Sequence, residues 1–314
     1  MTKRKNTRTC MSAVPEDTVN IEQVLRTRNR ERSDLLKRIV ESLTTERSVQ
    51  AAWLSGSVSR GNDDALSDLD IHIAIDDQAI DQVIGNRKLY VSRPARPTLL
   101  MDNYRNAPAG GAYLLALYEG EFGPQHVDWF WQLASESRLP DDERILFDRV
   151  GLPSIQGDLW RREAHRSPAP PLGLNPSRAD LLTHKITFFW AMCLIVAKYI
   201  ARRNGVGVAK MTRVIARTLD EIAELGVLSG VPAEFRDSLP TNLADTSADA
   251  RVKLLRELAC HAEVLSKRLM AQGVAIPSEA VEQIYRFIYL AETLSVKPWG
   301  PYERESANTE CASQ

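Results

Sequence analysis

The sequence predicts an α+β fold in which a mixed β-sheet with flanking helices is followed by an all-α helical bundle. Short apolar and aromatic runs of strand length occupy the first half of the chain, whereas the second half contains only helix-length amphipathic stretches. Residues 168–173 separate the halves with prolines and a glycine, which continue neither a helix nor a central strand. The 314 residues, 44% of them hydrophobic, suffice for two domains.

Composition divides the chain further. Residues 1–17 and 303–314 are small, polar or charged, and we expect them to be disordered tails. Between the tails, the boundaries predict a sheet domain at 18–166, a linker at 167–176 and a helical domain at 177–302.

Periodicity assigns the elements of each domain. A helical pattern of apolar residues predicts an amphipathic helix over 20–46 that packs on the sheet. Strands are predicted at 49–54, 69–75, 112–118 and 126–131, the last two joined by a hairpin loop at 119–124. Helices are predicted at 178–203, 209–225, 248–272 and 278–294. The apolar segment 186–200 contains Thr187 and Lys198, which favours a buried helix over a membrane span.

Bulk charge and cysteine usage narrow the function. Forty basic residues against 41 acidic ones give a net charge of −1, so the chain lacks the positive field that holds nucleic acid, and a small substrate is favoured. The four cysteines are far apart and form no Cys-x-x-Cys pair, which argues against a disulfide framework or a structural zinc site. No apolar segment follows the basic start before Glu16, so we expect no secretory signal and a cytoplasmic location.

The segment 55–73 carries the chemistry. Asp68 and Asp70 stand at i and i+2 at the start of a predicted strand, so their carboxylates share a face. Two adjacent carboxylates repel unless a cation lies between them, and oxygen ligands of this kind suit Mg²⁺. Gly56 and Ser57 form a turn whose backbone can approach a phosphate, and Ser67 precedes the aspartates and anchors their loop.

A Gly-Ser turn, a short helix and Ser-Asp-x-Asp opening a strand together resemble the signature of the nucleotidyltransferase superfamily of the polymerase-β type. The resemblance covers residues 49–132. It implies Mg²⁺ as cofactor, a nucleoside triphosphate held at Gly56 and Ser57, and a third carboxylate from a later strand. Asp128 is the only acidic residue of the predicted strand 126–131 and takes that role.

Other residues near the signature have two interpretations. Arg60 is placed near the phosphates or on the surface, and Lys198 either reaches the nucleotide or complements a helix end. Both are kept as candidate nucleotide ligands. His72 and His126 are interpreted as packed neutral side chains and left out of the metal ligands. The aromatic run 129–131 is assigned to the sheet core.

The resemblance implies transfer of a nucleoside monophosphate, AMP from ATP, to a hydroxyl of a small molecule with release of pyrophosphate. The layout of sheet followed by helices is similar to aminoglycoside and lincosamide nucleotidyltransferases, which confer antibiotic resistance. Two alternatives stay open: adenylylation of a protein partner, as in antitoxins of this superfamily, and a non-catalytic interaction protein that retains the fold. The sequence leaves open the acceptor, the preferred nucleotide and the oligomeric state.

Overall fold

The computed structural model describes residues 20–164, 176–226, 247–271, 273–297 and 299. Both predicted tails lie outside these residues, as does the predicted linker except for residue 176.

The first half forms a sheet with helices around it. Its helices are α1 (Ile21–Thr44), α2 (Gly56–Arg60), α3 (Ile80–Gly85), α4 (Arg87–Ser92) and α5 (Gly157–Ala164), with a 3₁₀ turn at Tyr104–Asn106. Its main strands are β1 (Val49–Ser55), β2 (Leu69–Ile75), β3 (Pro97–Asp102), β4 (Ala112–Tyr118) and β5 (Gln125–Leu133). The short strands that follow are β6 (Leu139–Pro140), β7 (Arg144–Asp148) and β8 (Ser154–Ile155). This half has the predicted mixture of sheet and flanking helices.

The main sheet has six strands in the order β3-β4-β5-β2-β1-β7. The β2–β5 pair is parallel, whereas the other pairs in this sheet are antiparallel. The sheet is therefore mixed, as the sequence predicted. Because β5 returns beside β2 after the β4–β5 hairpin, the start of β2 lies next to the start of β5, and residues far apart in sequence meet there.

The sheet buries both of its faces. One face packs under the second half of α1, where Leu35, Ile39 and Leu43 contact the isoleucines of β2 and the even-numbered residues of β4. The other face is covered by the C-terminal helices over β3 and β4, where Tyr113 and Leu115 join the helical core. Strands β3 and β4 therefore divide their side chains between these two cores, whereas the second-face side chains of β1 and β2 lie in a third, smaller cluster.

The described part of the second half contains only helices: α6 (Arg178–Ala201), α7 (Gly205–Leu225), α8 (Ala248–Met270) and α9 (Ser278–Val296). Ser177 begins α6 with a reciprocal capping box to Asp180. α6 is the central helix and packs against the other three. The α+β class with a C-terminal four-helix region is confirmed.

α6 is also long and apolar enough to qualify as a membrane span by length and composition, with an 18-residue window of mean hydropathy 1.4, half of it buried inside the protein. Core helices of water-soluble domains pass the same test, and α6 is surrounded by helices and strand β3. The criterion therefore carries little weight here.

Candidate functional site

Three aspartates meet at the start of the parallel strand pair. Asp70 of β2 is in register with Asp128 of β5, and Asp68 lies two positions before Asp70. One ligand atom each from Asp68, His126 and Asp128 lie within 4.8 Å of one another. The structure therefore brings the three predicted acidic residues together and adds a histidine to them.

Strand alternation explains why these polar groups share one face. The neighbours of Asp70 in β2, Leu69 and Ile71, are buried in the core under α1. In β5, Trp129 and Trp131 are buried in that same core, which confirms the sheet-core interpretation of these two rings. With the apolar positions committed to one side, Asp70 and Asp128 must lie on the other.

His126 was wrongly left out of the candidate metal group. Its Nε2 lies 3.1 Å from Asp128 Oδ1 and its Nδ1 lies 3.3 Å from Asp68 Oδ2, and only 4% of its side chain is exposed. The imidazole thus bridges two carboxylates. A signal was present in the sequence, because His126 stands at i−2 from Asp128 on the same strand face.

Lys198 reaches the same cluster from α6. Its Nζ donates to Asp68 Oδ2 at 3.0 Å and lies 3.2 Å from His126 Nδ1. Lys198 is buried, with 5% of its side chain exposed, while 30% of Asp68 remains open to solvent. The helical half therefore supplies a cation to the acidic site, a contact that the sequence did not predict. Its contact with a nucleotide stays a prediction.

The charges of the cluster shift the pKa values of its members. Burial raises the pKa of Asp70, and the neighbouring Asp68 and Asp128 raise it well above the ordinary range. For Asp68 burial acts in the same direction, but Lys198 and His126 outweigh it and hold its pKa well below the usual value. Lys198 and His126 therefore stabilise the negative charge of Asp68, whereas the surroundings of Asp70 favour its neutral form.

His126 is charged in this arrangement. Burial alone would lower the pKa of its imidazole, but the carboxylates of Asp128 and Asp68 raise it to about 9. In the charged form Nδ1 donates to Asp68, so Lys198 donates to Asp68 rather than to the ring. The two cations share one carboxylate.

The donor set fits a divalent cation. Asp68 and Asp128 offer carboxylate oxygens from one small volume, and His126 adds an imidazole nitrogen once its ring has lost a proton. Oxygen donors suit Mg²⁺ or Mn²⁺, and the nitrogen also suits transition metals, so the donors alone do not fix the identity of the ion. The raised pKa of Asp70 supports this fit, because a bound cation would relieve the repulsion among the carboxylates.

Gly56 brings the signature turn against the aspartates. It begins α2 directly after β1 with φ +77°, and a Cβ built on it would lie 2.2 Å from Asp70 Oδ2. A larger residue is therefore excluded by both backbone conformation and space. Ser57 follows in the first turn of α2, half-buried. Nucleotide contacts by Gly56 and Ser57 stay predictions.

Gly56→Ala should lower the free energy of unfolding by more than the left-handed conformation alone costs, about 1–2 kcal/mol, because the added methyl displaces the Asp70 carboxylate. Gly61→Ala is the matched control, since Gly61 has φ +69° and no neighbour within 4 Å of the built Cβ. Urea unfolding of both variants measures the difference. Equal losses would show that the close approach to Asp70 carries no energetic weight.

The loop that leads into Asp68 is held from two sides. Within it, Ser67 Oγ accepts from the Asp64 backbone at 3.1 Å and donates to the Asp64 carboxylate at 3.2 Å. Arg202, the residue directly after α6, donates twice to Asp64, both at 2.8 Å. From α1, Arg32 donates to the carbonyl of Ser67 at 3.2 Å and pairs with Asp63. Ser67 thus anchors the loop; contact with a nucleotide stays a prediction.

Arg60 and His72 lie near the site but have their own partners. Arg60, at the end of α2, pairs with the buried Glu143 at 2.7 Å. Its predicted role at the phosphates is untested. His72 stacks between Trp53 and Phe130, and burial lowers its pKa to about 3. The interpretation of His72 as a packed neutral histidine is confirmed.

Tyr113 is a site residue that the sequence analysis missed. It stands in β4, and its hydroxyl donates to Asp128 Oδ1. Burial raises the pKa of this phenol well above 10, and the charge of Asp128 acts in the same direction. Tyr113 therefore stays neutral and fixes the orientation of the Asp128 carboxylate. Only the pairing of β4 with β5 brings the two residues together.

No protein-family model matches this chain, and no curated protein matches it. The signature residues and the geometry of the acidic site are what point to a function.

Proposed function

We propose that this chain is a magnesium-dependent nucleotidyltransferase of the polymerase-β type, which transfers AMP from ATP to a hydroxyl of a small molecule and releases pyrophosphate. The observation that carries the proposal is the meeting of Asp68, Asp70 and Asp128 beside a glycine turn that touches Asp70. The order of turn, short helix and paired aspartates in the sequence leads to the same class.

The three carboxylates would hold the metal. Asp68 lies directly before β2, and Asp128 lies across from Asp70 in the adjacent strand. When bound, Mg²⁺ supplies positive charge that neutralises the phosphate oxygens during displacement. His126 would position Asp68 and Asp128, because it is hydrogen-bonded to both.

The remaining roles belong to the chain's own groups. Asp128 would orient the acceptor hydroxyl and withdraw its proton, and Tyr113 keeps that carboxylate aligned by donating to Oδ1. Gly56 lets the turn approach the Asp70 carboxylate closely, and the backbone N–H groups and the Ser57 hydroxyl of this turn would donate to the phosphates. The exposed fraction of Asp68, 30% of its side chain, provides the opening through which a ligand reaches these groups.

The net charge of −1 favours a small acceptor over nucleic acid. Aminoglycoside-like and lincosamide-like antibiotics are the acceptor class that the layout of sheet and helices suggests. Adenylylation of a protein hydroxyl uses the same chemistry and is distinguished by experiment.

A non-catalytic interaction protein is the second candidate, and one observation favours it. Lys198 and His126 already pair with Asp68, so two protein cations partly neutralise the acidic cluster. A fold that had lost catalysis would be stable in this form. The high pKa of Asp70 opposes this view, because it reflects burial and crowding by the carboxylates of Asp68 and Asp128, a repulsion that a bound cation would relieve.

The test is pyrophosphate release by the purified chain with Mg²⁺ and each of the four nucleoside triphosphates, scored against aminoglycosides, lincosamides and other sugars. We expect release to require one hydroxyl compound and to be fastest with ATP. Labelling of a co-purified protein instead would establish the protein-acceptor alternative. Absence of nucleotide binding with Mg²⁺ would leave the interaction protein.

A further inference from the structure

Lys198 is unusual in its burial. It is the one buried lysine among the residues that the structure describes, with 4% of its surface exposed. An ammonium group loses its hydration on burial, which is compensated only by close negative partners. The carboxylate of Asp68 is that partner, at 3.0 Å. Lys198 is therefore held by the acidic site.

The ammonium contacts two members of the group that could hold a metal ion. Its Nζ lies 3.0 Å from Asp68 Oδ2 and 3.2 Å from His126 Nδ1, and both residues belong to the group that could hold a metal. An ion coordinated by Asp68 binds its oxygen at about 2.1 Å. Two cations at that oxygen repel each other strongly at such distances. Binding of a metal ion at the Asp68 carboxylate therefore opposes binding of the Lys198 ammonium there, and the reverse also holds.

We propose that Lys198 is an internal counter-cation of the metal site, which divalent cation binding displaces from Asp68. The inference rests on the metal-binding part of the proposed function. It adds a regulatory step, because the helical half then controls how readily the site takes up an ion.

Only the side chain of Lys198 has to move in this exchange. Arg202, which directly follows α6, keeps its two hydrogen bonds to Asp64 and holds the end of the helix to the loop that leads into Asp68. The four-carbon stem of a lysine lets the ammonium swing while the backbone stays in place. Once released, it is available to an anionic ligand such as a triphosphate, so metal and nucleotide binding reinforce each other.

The first test measures Mn²⁺ binding by calorimetry without nucleotide. Lys198→Met removes the competing charge and keeps the length of the side chain, so we expect Mn²⁺ to bind at least about tenfold more tightly than to wild type. Lys198→Arg should restore weak binding. Lys185→Met is the matched control, since Lys185 lies on the same helix and pairs with Glu221 at 2.7 Å, away from the acidic cluster; its affinity should stay that of wild type.

A second measurement uses the unaltered protein and does not depend on a variant that folds. An amine-modifying reagent with mass-spectrometric detection should modify Lys198 slowly without metal and several-fold faster at saturating Mn²⁺, whereas Lys185 should not change. Equal modification of Lys198 with and without bound Mn²⁺ would overturn the proposal, as would unchanged or weaker Mn²⁺ binding by a folded Lys198→Met variant. If neither wild type nor Lys198→Met binds Mn²⁺, the metal site and the proposed function fail together.

Discussion

Replacing Asp70 by Asn should lower pyrophosphate release by at least about a thousandfold, close to 4 kcal/mol in activation free energy. The substitution removes one negative charge from the group that would hold the metal and leaves the shape of the side chain unchanged. Burial and the charges of Asp68 and Asp128 raise the pKa of Asp70, so its neutral form is already favoured without metal. Asn resembles that neutral form, and we expect the free energy of unfolding to fall by less than about 1 kcal/mol.

Asp68→Asn should differ from Asp70→Asn in its effect on the stability of the fold. Asp68 is the partner of Lys198 and His126, so its replacement should also abolish turnover but destabilise the fold, because two buried cations lose a carboxylate. Asp81→Asn on α3 is exposed and serves as the control with unchanged turnover. If Asp70→Asn keeps more than about a tenth of wild-type turnover, the loss of transition-state stabilisation is less than roughly 1.4 kcal/mol. That result would show that Asp70 does not belong to the metal site.

The elements that the sequence predicted well are those whose side chains divide cleanly between core and surroundings. Strands β2 and β4 begin and end at the predicted residues, and α6, α7, α8 and α9 differ only at their ends. In these segments local pattern and tertiary burial agree, so periodicity is sufficient.

Strands β3 and β7 were not predicted. β3 begins at Pro97, which removes a ladder donor, and lies at one edge of the sheet. β7 lies at the other edge, and its Arg144 and Ile145 are exposed. Edge strands with half-exposed faces show no clear alternation, and the partner strand supplies their hydrogen bonds. Only the folded sheet identifies them.

The residues of the candidate site likewise fall into those that local sequence patterns predicted and those that depend on tertiary packing. Adjacency of Asp68 and Asp70 follows from strand alternation alone, and Asp128 was found because the resemblance required a later acidic strand residue. Lys198 lies on α6, 128 residues after Asp70 in the sequence (198 − 70), and no local pattern specifies where its ammonium lies. Contacts of this kind depend on how the helical region packs on the sheet.

The apolar periodicity also did not predict that charged residues of α1 are buried. The apolar stripe of the helix was identified, but Arg28 and Arg32 are buried beside it and only 2% and 7% exposed. A sequence pattern assigns arginines to the solvated face. Here they donate to backbone carbonyls of loops that have no secondary-structure partners, including the loop that carries Asp68. The arginines are buried here because the backbone carbonyls of those loops require hydrogen-bond donors.

Arg28→Met should therefore lower the free energy of unfolding by about 3–5 kcal/mol. The guanidinium donates to the carbonyl of Ala65, in the loop that leads into Asp68, at 3.1 Å. It also donates to three successive carbonyls of the β4–β5 hairpin, those of Phe122, Gly123 and Pro124, at 3.2, 2.9 and 3.1 Å. Burial lowers its pKa to about 10, so it stays charged at neutral pH and its hydrogen bonds are strong. Methionine fills the volume but leaves these carbonyls without their donor.

Arg26→Met provides the matched control in urea unfolding, because Arg26 lies two residues earlier on α1 and pairs with Glu22 where both side chains are more than two thirds exposed, 68% and 76%. We expect that change to cost less than about 1 kcal/mol. Arg28→Lys should recover only part of the loss, since one ammonium cannot reach carbonyls on both loops in the geometry of the guanidinium fork. Similar stabilities of Arg28→Met and Arg26→Met would show that water replaces the lost donors. The two loops would then have to be held together by packing against α9, where the ring centroid of Phe287 lies 4.8 Å from the Arg28 guanidinium.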